Sequence, residues 1–127
     1  MNKEELGKRM SDILRDEDKE LAQLTFLDIM DYVRAFSYKD ISLNASYDGL
    51  KSGTAYSISE GFFMFKNRKL QFNLNEKIIY VKRIDEDESV TPIDEIIISN
   101  GIVNCKHGPF KVNEIDSYLT ECFKDLL

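Results

Sequence analysis

The sequence predicts an α+β fold with helices at both ends of the chain and an antiparallel sheet between them. Three observations support this class. Apolar residues recur with helical spacing over residues 1–36 and again over 113–126, they alternate with polar residues along most of 41–106, and short turn signals separate the alternating segments. Tight turns pair consecutive strands, so we predict an antiparallel β-meander of five to seven strands with the C-terminal amphipathic helix packed on the sheet. The chain has no linker and no repeat, which predicts a single domain over 1–127.

The N-terminal helical region contains two apolar stripes that are out of phase with each other. The first stripe contains Leu6, Met10, Ile13 and Leu14, and the second contains Phe26, Ile29, Met30, Val33 and Phe36. An uninterrupted run of charges, 15–20, separates them, and Asp16 or Asp18 can cap a second helix there. The pattern predicts a helical pair or one bent helix, because the run contains neither Gly nor Pro. We expect the terminal helices to cover one face of the sheet.

The central region changes to the two-residue period of strands. Its alternating or apolar segments lie at 41–47, 54–59, 62–65, 70–74 and 77–84, and Asp48-Gly49 predicts the turn after the first of them. The segment 78–81 is apolar on both faces, which predicts a central strand covered by helix on one side and by a loop or a partner on the other.

A final hairpin and helix complete the predicted fold. Asn100-Gly101 lies between two short strand-like segments, 96–99 and 102–105, and this dipeptide favours a type I′ turn. Asn113 is the predicted N-cap of the last helix. The apolar stripe of that helix contains Ile115, Tyr118, Leu119, Cys122, Phe123 and Leu126.

Composition limits the classes of partner and the compartment. The chain has 17 Lys and Arg against 23 Asp and Glu, a formal charge of −6, which disfavours nucleic acid and anionic membranes as partners. The basic turn at 66–69 lies among phenylalanines and suggests a surface for single-stranded nucleic acid, but we expect those rings to build the core. No export signal or long apolar run is present, so we predict a cytoplasmic protein whose Cys105 and Cys122 are buried free thiols.

Motifs for metal, cofactor or catalysis are weak. The segment 85–89 begins like a calcium loop, but Val90 and Ile96 stand where such a loop requires Gly and Glu. With one His and two Cys we expect no metal site, and we predict no cofactor. Cys105 and His107 could pair on a strand as nucleophile and base, but Gly108-Pro109 is expected to end that strand. We therefore favour a protein that is not an enzyme, with Cys105 as the residue on which a catalytic alternative depends.

The charge distribution indicates a protein-binding surface. Residues 1–36 carry a net charge of −3, 37–84 carry +4 and 85–127 carry −7. One interpretation is that the acidic C-terminal third directs the protein to a basic protein partner; the other is that the charges serve solubility and pair internally. The predicted partner-binding residues are Asp85, Glu86, Asp87, Glu88, Asp94 and Glu95.

In size, charge and architecture the chain is similar to bacterial proteins that act by occluding a partner: toxin-immunity proteins, small inhibitors and secretion chaperones. This resemblance implies a protein-binding module or inhibitor that uses an acidic surface. The alternative is a small-ligand-binding or regulatory domain that uses the sheet face left uncovered by helices. A homodimer through that face is a further expectation.

Overall fold

The predicted α+β class is confirmed by the computed structural model, which describes residues 1–40 and 52–127. Within these residues a helical pair comes first, a seven-stranded sheet follows, and a helix ends the chain. The helices are α1 (Lys3–Leu14), α2 (Glu17–Ala35) and α3 (Glu114–Phe123), with a π-helical turn Phe36–Asp40 after α2 and a 3-10 turn Lys124–Leu126 after α3. The strands are β1 (Ser52–Tyr56), β2 (Glu60–Phe65), β3 (Arg68–Asn75), β4 (Ile78–Ile84), β5 (Val90–Ser99), β6 (Ile102–Cys105) and β7 (Gly108–Pro109).

Of the two N-terminal alternatives, the helical pair is correct. Arg15 and Asp16 have extended backbones (φ −63°, ψ 130° and φ −117°, ψ 106°), and they separate α1 from α2. The Asp16 carboxylate accepts a hydrogen bond from the Lys19 backbone N–H at 3.1 Å, as predicted for an N-cap. The charged run therefore breaks the helix through its capping residue, without Gly or Pro.

The predicted meander is confirmed, with all strands antiparallel and in the spatial order β1 to β7. The turn between β5 and β6 has positive φ angles of 52° at Asn100 and 75° at Gly101, as a type I′ turn requires. The Asp18 carboxylate accepts hydrogen bonds from both turn N–H groups, at 2.9 and 2.8 Å. The predicted strand over 41–47 and the predicted turn at Asp48-Gly49 lie outside the described residues.

The hydrophobic core lies between one face of the sheet and the helices α2 and α3. β4 is central in the sheet, as predicted: Ile79 and Val81 are buried against the helices, and Ile78 and Tyr80 are half-buried on the opposite face. The buried hydrophobic residues are Ala22, Phe26, Ile29, Met30, Val33, Phe63, Leu70, Phe72, Ile79, Val81, Ile93, Ile96, Ile98, Cys105, Ile115, Tyr118, Leu119, Cys122 and Phe123.

Two local predictions hold only in part. Helices from both ends of the chain cover the sheet, as predicted, through α2 and α3, but α1 buries none of its residues. Asn113 occupies the predicted N-cap position of α3, but its side chain makes no capping hydrogen bond. Asn113 is already helical (φ −71°, ψ −9°), so it lacks the extended backbone from which an N-cap side chain accepts a hydrogen bond from the N–H groups of the first turn.

Candidate functional site

The most unusual surface of the molecule is the apolar face of α1, which we call the α1 stripe and which consists of Leu6, Met10, Ile13 and Leu14. These side chains are 44%, 56%, 83% and 82% exposed, in that order. Single exposed hydrophobic residues are common on proteins, but four on one face of one helix form a contiguous apolar patch. The spacing predicted this stripe, and the structure adds that the rest of the described chain does not bury it.

The charges beside the α1 stripe are positive. At 100° per residue, Lys3 and Arg9 lie next to the stripe, and the carboxylates of Glu4 and Asp12 lie on the opposite side of the helix. Arg9 also pairs with Glu5 one turn away, at 3.4 Å. The Asn2 side chain caps the first turn by accepting from the Glu5 N–H at 2.8 Å. The helix thus carries its own capping and pairing, and it presents an apolar face with a cationic border.

The junction between α1 and α2 is held by ionic hydrogen bonds. Arg15 donates three hydrogen bonds to the Glu20 carboxylate at 2.9–3.1 Å. Lys77, in the turn between β3 and β4, approaches Asp16 at 2.8 Å. This hydrogen bond, followed by that from the Lys19 N–H, lowers the pKa of Asp16. These contacts tie the two connecting residues to α2 and to the sheet, so they set the direction in which α1 leaves the core.

A second candidate site is an aromatic pocket of about 370 Å³ between the end of α2, β2 and α3. The rings of Phe36 and Phe63 meet edge to face at a centroid distance of 5.4 Å, and those of Phe63 and Phe123 meet at 5.6 Å. Asp116 lies in the lining and accepts a hydrogen bond from the Tyr32 hydroxyl. Sequence reasoning missed this pocket, because its rings come from three separate segments whose meeting depends on tertiary packing.

The first four predicted partner-binding residues lie together in the turn between β4 and β5. Asp85 accepts from the Nε atoms of Arg68 at 2.8 Å and Arg83 at 3.0 Å, and these guanidinium groups, Arg83 foremost, lower its pKa. Asp87 is exposed and accepts from the Ser89 hydroxyl at 2.6 Å, which lowers its own pKa. Glu86 and Glu88 are exposed as well.

The other two predicted residues, on β5, have different surroundings. Asp94 is only 8% exposed and accepts from the Tyr118 hydroxyl and from the backbone N–H groups of Glu95 (2.7 Å) and Lys106 (3.0 Å). Burial, followed by the hydrogen bond that its hydroxyl donates to Asp94, raises the pKa of Tyr118. Glu95 is exposed. A partner-binding role for the six carboxylates stays a prediction, and the ones open to solvent are Glu86, Asp87, Glu88 and Glu95.

The predicted pair of buried free thiols is confirmed. Cys122 contacts the Lys69 carbonyl at 3.7 Å, and burial raises the pKa of its thiol to about 12. β6 ends at Cys105, and His107 lies beyond it as an exposed residue, so the two do not share a strand face. Over 1–40 and 52–127, no three His, Cys, Asp or Glu side chains are grouped as metal ligands. In the same residues no helix combines the length and apolarity that a membrane crossing requires.

Comparison of the chain with protein-family models, with curated proteins and with solved structures gives no match.

Proposed function

We propose that this chain is a protein-binding module and that the α1 stripe is its main binding element. The observation that carries the proposal is the exposure of four large apolar side chains on one helix that buries no residue. A helix of 12 residues is marginal in water by itself, so a bound partner would stabilise α1 as well as cover its apolar face.

The chemistry of the α1 stripe indicates the partner surface that fits it. Burying one large aliphatic side chain contributes about 1.5–3 kcal/mol, and association costs at least about 4 kcal/mol in lost freedom of motion. The partner must therefore enclose most of the stripe. Because Lys3 and Arg9 border the stripe, the complementary surface is an apolar groove with carboxylates along its edges.

The acidic turn 85–88 is the second element of this proposal. Its exposed carboxylates Glu86, Asp87 and Glu88 suit a basic partner, as the charge distribution predicts. Exposed charges act mainly on the rate of association, which falls as salt is added. Reversing Glu86 and Glu88 to Lys would therefore slow association with a basic partner and leave its dissociation rate nearly unchanged.

Site-specific photo-crosslinking in the native cells tests the role of α1. A photoreactive phenylalanine analogue at Ile13 should capture a defined protein, identified by mass spectrometry, and the same analogue at Lys8, on the opposite side of α1, should not. The captured protein should then bind the purified chain directly, and Ile13→Asp should remove that binding. Equal crosslinking from both positions, or none from Ile13, would contradict the proposal.

A second candidate function is the binding of a small apolar ligand. The aromatic pocket is a better candidate site for it than the sheet face that the helices leave uncovered. Its volume of about 370 Å³ and its phenylalanine lining are typical of sites for small hydrophobic molecules. The neutral fluorophore N-phenylnaphthylamine serves as the probe. Its fluorescence should rise in the presence of the protein, Thr120→Trp should abolish the rise by filling the pocket, and the exposed control Thr91→Trp should not. Equal fluorescence in both variants would place the probe elsewhere.

A further inference from the structure

We propose that the partner of the α1 stripe is a second copy of this chain, with each copy laying its α1 across the outer face of the other copy's α2. This inference rests on the proposed function of the α1 stripe and names its partner. It is carried by the match between two exposed surfaces of the same molecule, one on each helix.

The receiving surface is the side of α2 that faces away from the core, which we call the α2 outer face. Leu24, 60% exposed, lies there opposite the buried residues of the same helix, and Leu27, 43% exposed, lies one turn further along at its edge. At 100° per residue, the exposed carboxylates of Glu20, Asp28 and Asp31 surround Leu24. The α2 outer face is therefore an apolar pair within an acidic border.

The two surfaces are complementary in charge and in polarity. The α1 stripe is bordered by Lys3 and by Arg9, which also pairs with Glu5 of its own helix. The α2 outer face is bordered by Asp28, Asp31 and Glu20, and the Glu20 carboxylate is also bound by Arg15. The charges that match most directly are therefore Lys3 on one surface and Asp28 and Asp31 on the other. The cations of α2 have other partners, since Lys19 approaches Glu76 at 3.7 Å and Arg34 lies over the Tyr38 ring at 5.8 Å. Opposite charges at the edges of an apolar contact set its orientation and disfavour like-with-like pairing of two α1 helices.

A second copy is needed because α1 does not reach its own α2 outer face. The connection contains only Arg15 and Asp16, and the bonds from Arg15 to Glu20 and from Asp16 to Lys77 hold it in an extended conformation. α1 accordingly buries no residue against the described part of its own chain, 1–40 and 52–127. Exchange between two copies around a two-fold axis fills both α2 outer faces at once, which makes the interface closed and self-complementary.

The exchange also doubles the area of contact. A single short helix lying on another buries less than the roughly 1,200–2,000 Å² that stable interfaces typically bury. Two such contacts per dimer bring the buried area towards that range. The dimer buries the eight side chains of the two α1 stripes, so a substitution that disrupts either the α1 stripe or the α2 outer face should dissociate it.

Sedimentation equilibrium of the purified chain over a range of concentrations tests the proposal. The unaltered chain should form dimers, and Ile13→Asp and Leu24→Glu should each weaken dimerisation at least about 30-fold, because each puts a charge into both apolar contacts. Ile58→Asp is the matched control, since Ile58 is 78% exposed on the turn between β1 and β2 and lies outside both surfaces. All three residues are exposed, so far-UV circular dichroism should show the same fold in every variant.

Mixing the two variants identifies the exchanged arrangement. Ile13→Asp retains an intact α2 outer face and Leu24→Glu retains an intact α1 stripe, so a heterodimer of the two variants keeps one intact contact, whereas each homodimer has a charge in both contacts. An equimolar mixture should therefore associate more strongly than either variant alone and more weakly than the unaltered chain. A dimer insensitive to Leu24→Glu, or a mixture that associates no more strongly than the separate variants, would overturn the exchange. If the unaltered chain is monomeric, the partner of the α1 stripe is not a second copy of this chain. The proposed function would still stand if the photoreactive analogue at Ile13 captured a different protein in cells.

Discussion

The phenolic hydroxyl of Tyr118 on α3 donates a hydrogen bond to Oδ2 of Asp94 on β5. Oδ1 of the same carboxylate accepts from two backbone N–H groups, those of Glu95 and Lys106. The Lys106 ammonium group extends this network to the Ile93 carbonyl at 2.9 Å and to Glu121 of α3 at 3.3 Å. Asp94 therefore joins the C-terminal helix to the last hairpin of the sheet.

Replacing Tyr118 with Phe should lower the free energy of unfolding by about 1–3 kcal/mol, because a buried carboxylate oxygen loses its hydrogen-bond donor while the ring still fills the core. Urea unfolding of both proteins measures the difference. Tyr38→Phe is the control, since Tyr38 is 71% exposed and its substitution should change stability by less than about 0.5 kcal/mol. Equal stability of the Tyr118 variant and the unaltered protein would show that the bond contributes nothing.

The same tyrosine should make the protein sensitive to alkali. Burial raises the pKa of Tyr118 above its ordinary value of 10.0, so the folded chain keeps this proton where the unfolded chain releases it. The resulting stabilisation is complete below pH about 10 and is lost as pH rises above that value. The stability difference between the unaltered protein and Tyr118→Phe should therefore shrink between pH 9 and 11. A difference independent of pH would contradict this reasoning.

Arg68 should stabilise the C-terminus in a way that weakens in acid. Its guanidinium donates to Asp125 at 2.6 Å, to Asp85 at 2.8 Å and to the Cys122 carbonyl at 3.0 Å, and it lowers the pKa of Asp125. A lowered carboxyl pKa stabilises the fold above the ordinary value near 3.8, and this contribution is lost as pH falls through the folded pKa. Arg68→Met should lower Tm by roughly 3–6 °C at pH 7 and by much less at pH 2.5.

Thermal unfolding of the Arg68 variant at several pH values measures this dependence. Lys82→Met is a suitable control because it also removes one cation from the same part of the sheet but lacks an ion pair among the described residues. A deficit of the Arg68 variant that is the same in acid as at pH 7 would point to lost packing of the side chain rather than to its charge.

Cys122 should resist thiol reagents until the protein unfolds. Burial raises the pKa of its thiol to about 12, so the reactive thiolate is nearly absent at pH 8, and the side chain is inaccessible in α3. Iodoacetamide labelling followed by mass spectrometry should modify Cys122 only in denaturant. Modification of the native protein at the rate of a free peptide thiol would contradict the burial of this side chain.

Deleting residues 1–14 should leave the rest of the fold intact. α1 buries no residue, and the Asp16 cap that starts α2 is retained, so the free energy of unfolding should change by less than about 1 kcal/mol. The deletion should abolish dimerisation, because it removes the α1 stripe. Urea unfolding and sedimentation of the truncated chain check both expectations, and a large loss of stability at dilutions where the full chain is monomeric would show that α1 belongs to the core.

Local signals predicted the elements of this fold well. The Asn100-Gly101 turn, the Asp16 cap and the central position of β4 each follow from a few adjacent residues whose chemistry determines the backbone. Periodicity also found the α1 stripe, but its exposure depends on the direction in which the helix leaves the junction. At that junction Asp16 is bound by Lys77, a residue 61 positions away in the chain.

The candidate sites were harder to predict because burial is a tertiary property. Asp94 and Glu95 are adjacent and chemically alike, yet one is buried under Tyr118 and the other faces solvent. Their opposite surroundings follow from strand alternation together with the packing of α3, and an acidic composition cannot distinguish them. The sequence likewise predicts that the phenylalanines of the β2 region belong to the core. Two of them, Phe63 and Phe65, also line the aromatic pocket, which opens to solvent.

The strict sequential order of the sheet has a consequence for folding. Every described strand pairs only with its neighbours in sequence, so each hairpin can close a short loop without waiting for a distant partner. The slow, non-local step is then the docking of the helices on the sheet. The hydrogen bonds that the Asn100 and Gly101 N–H groups donate to Asp18 of α2 connect positions more than 80 residues apart. We expect the meander to form early and α2 to dock late, so substitutions at Asp18 should speed unfolding while leaving the folding rate almost unchanged.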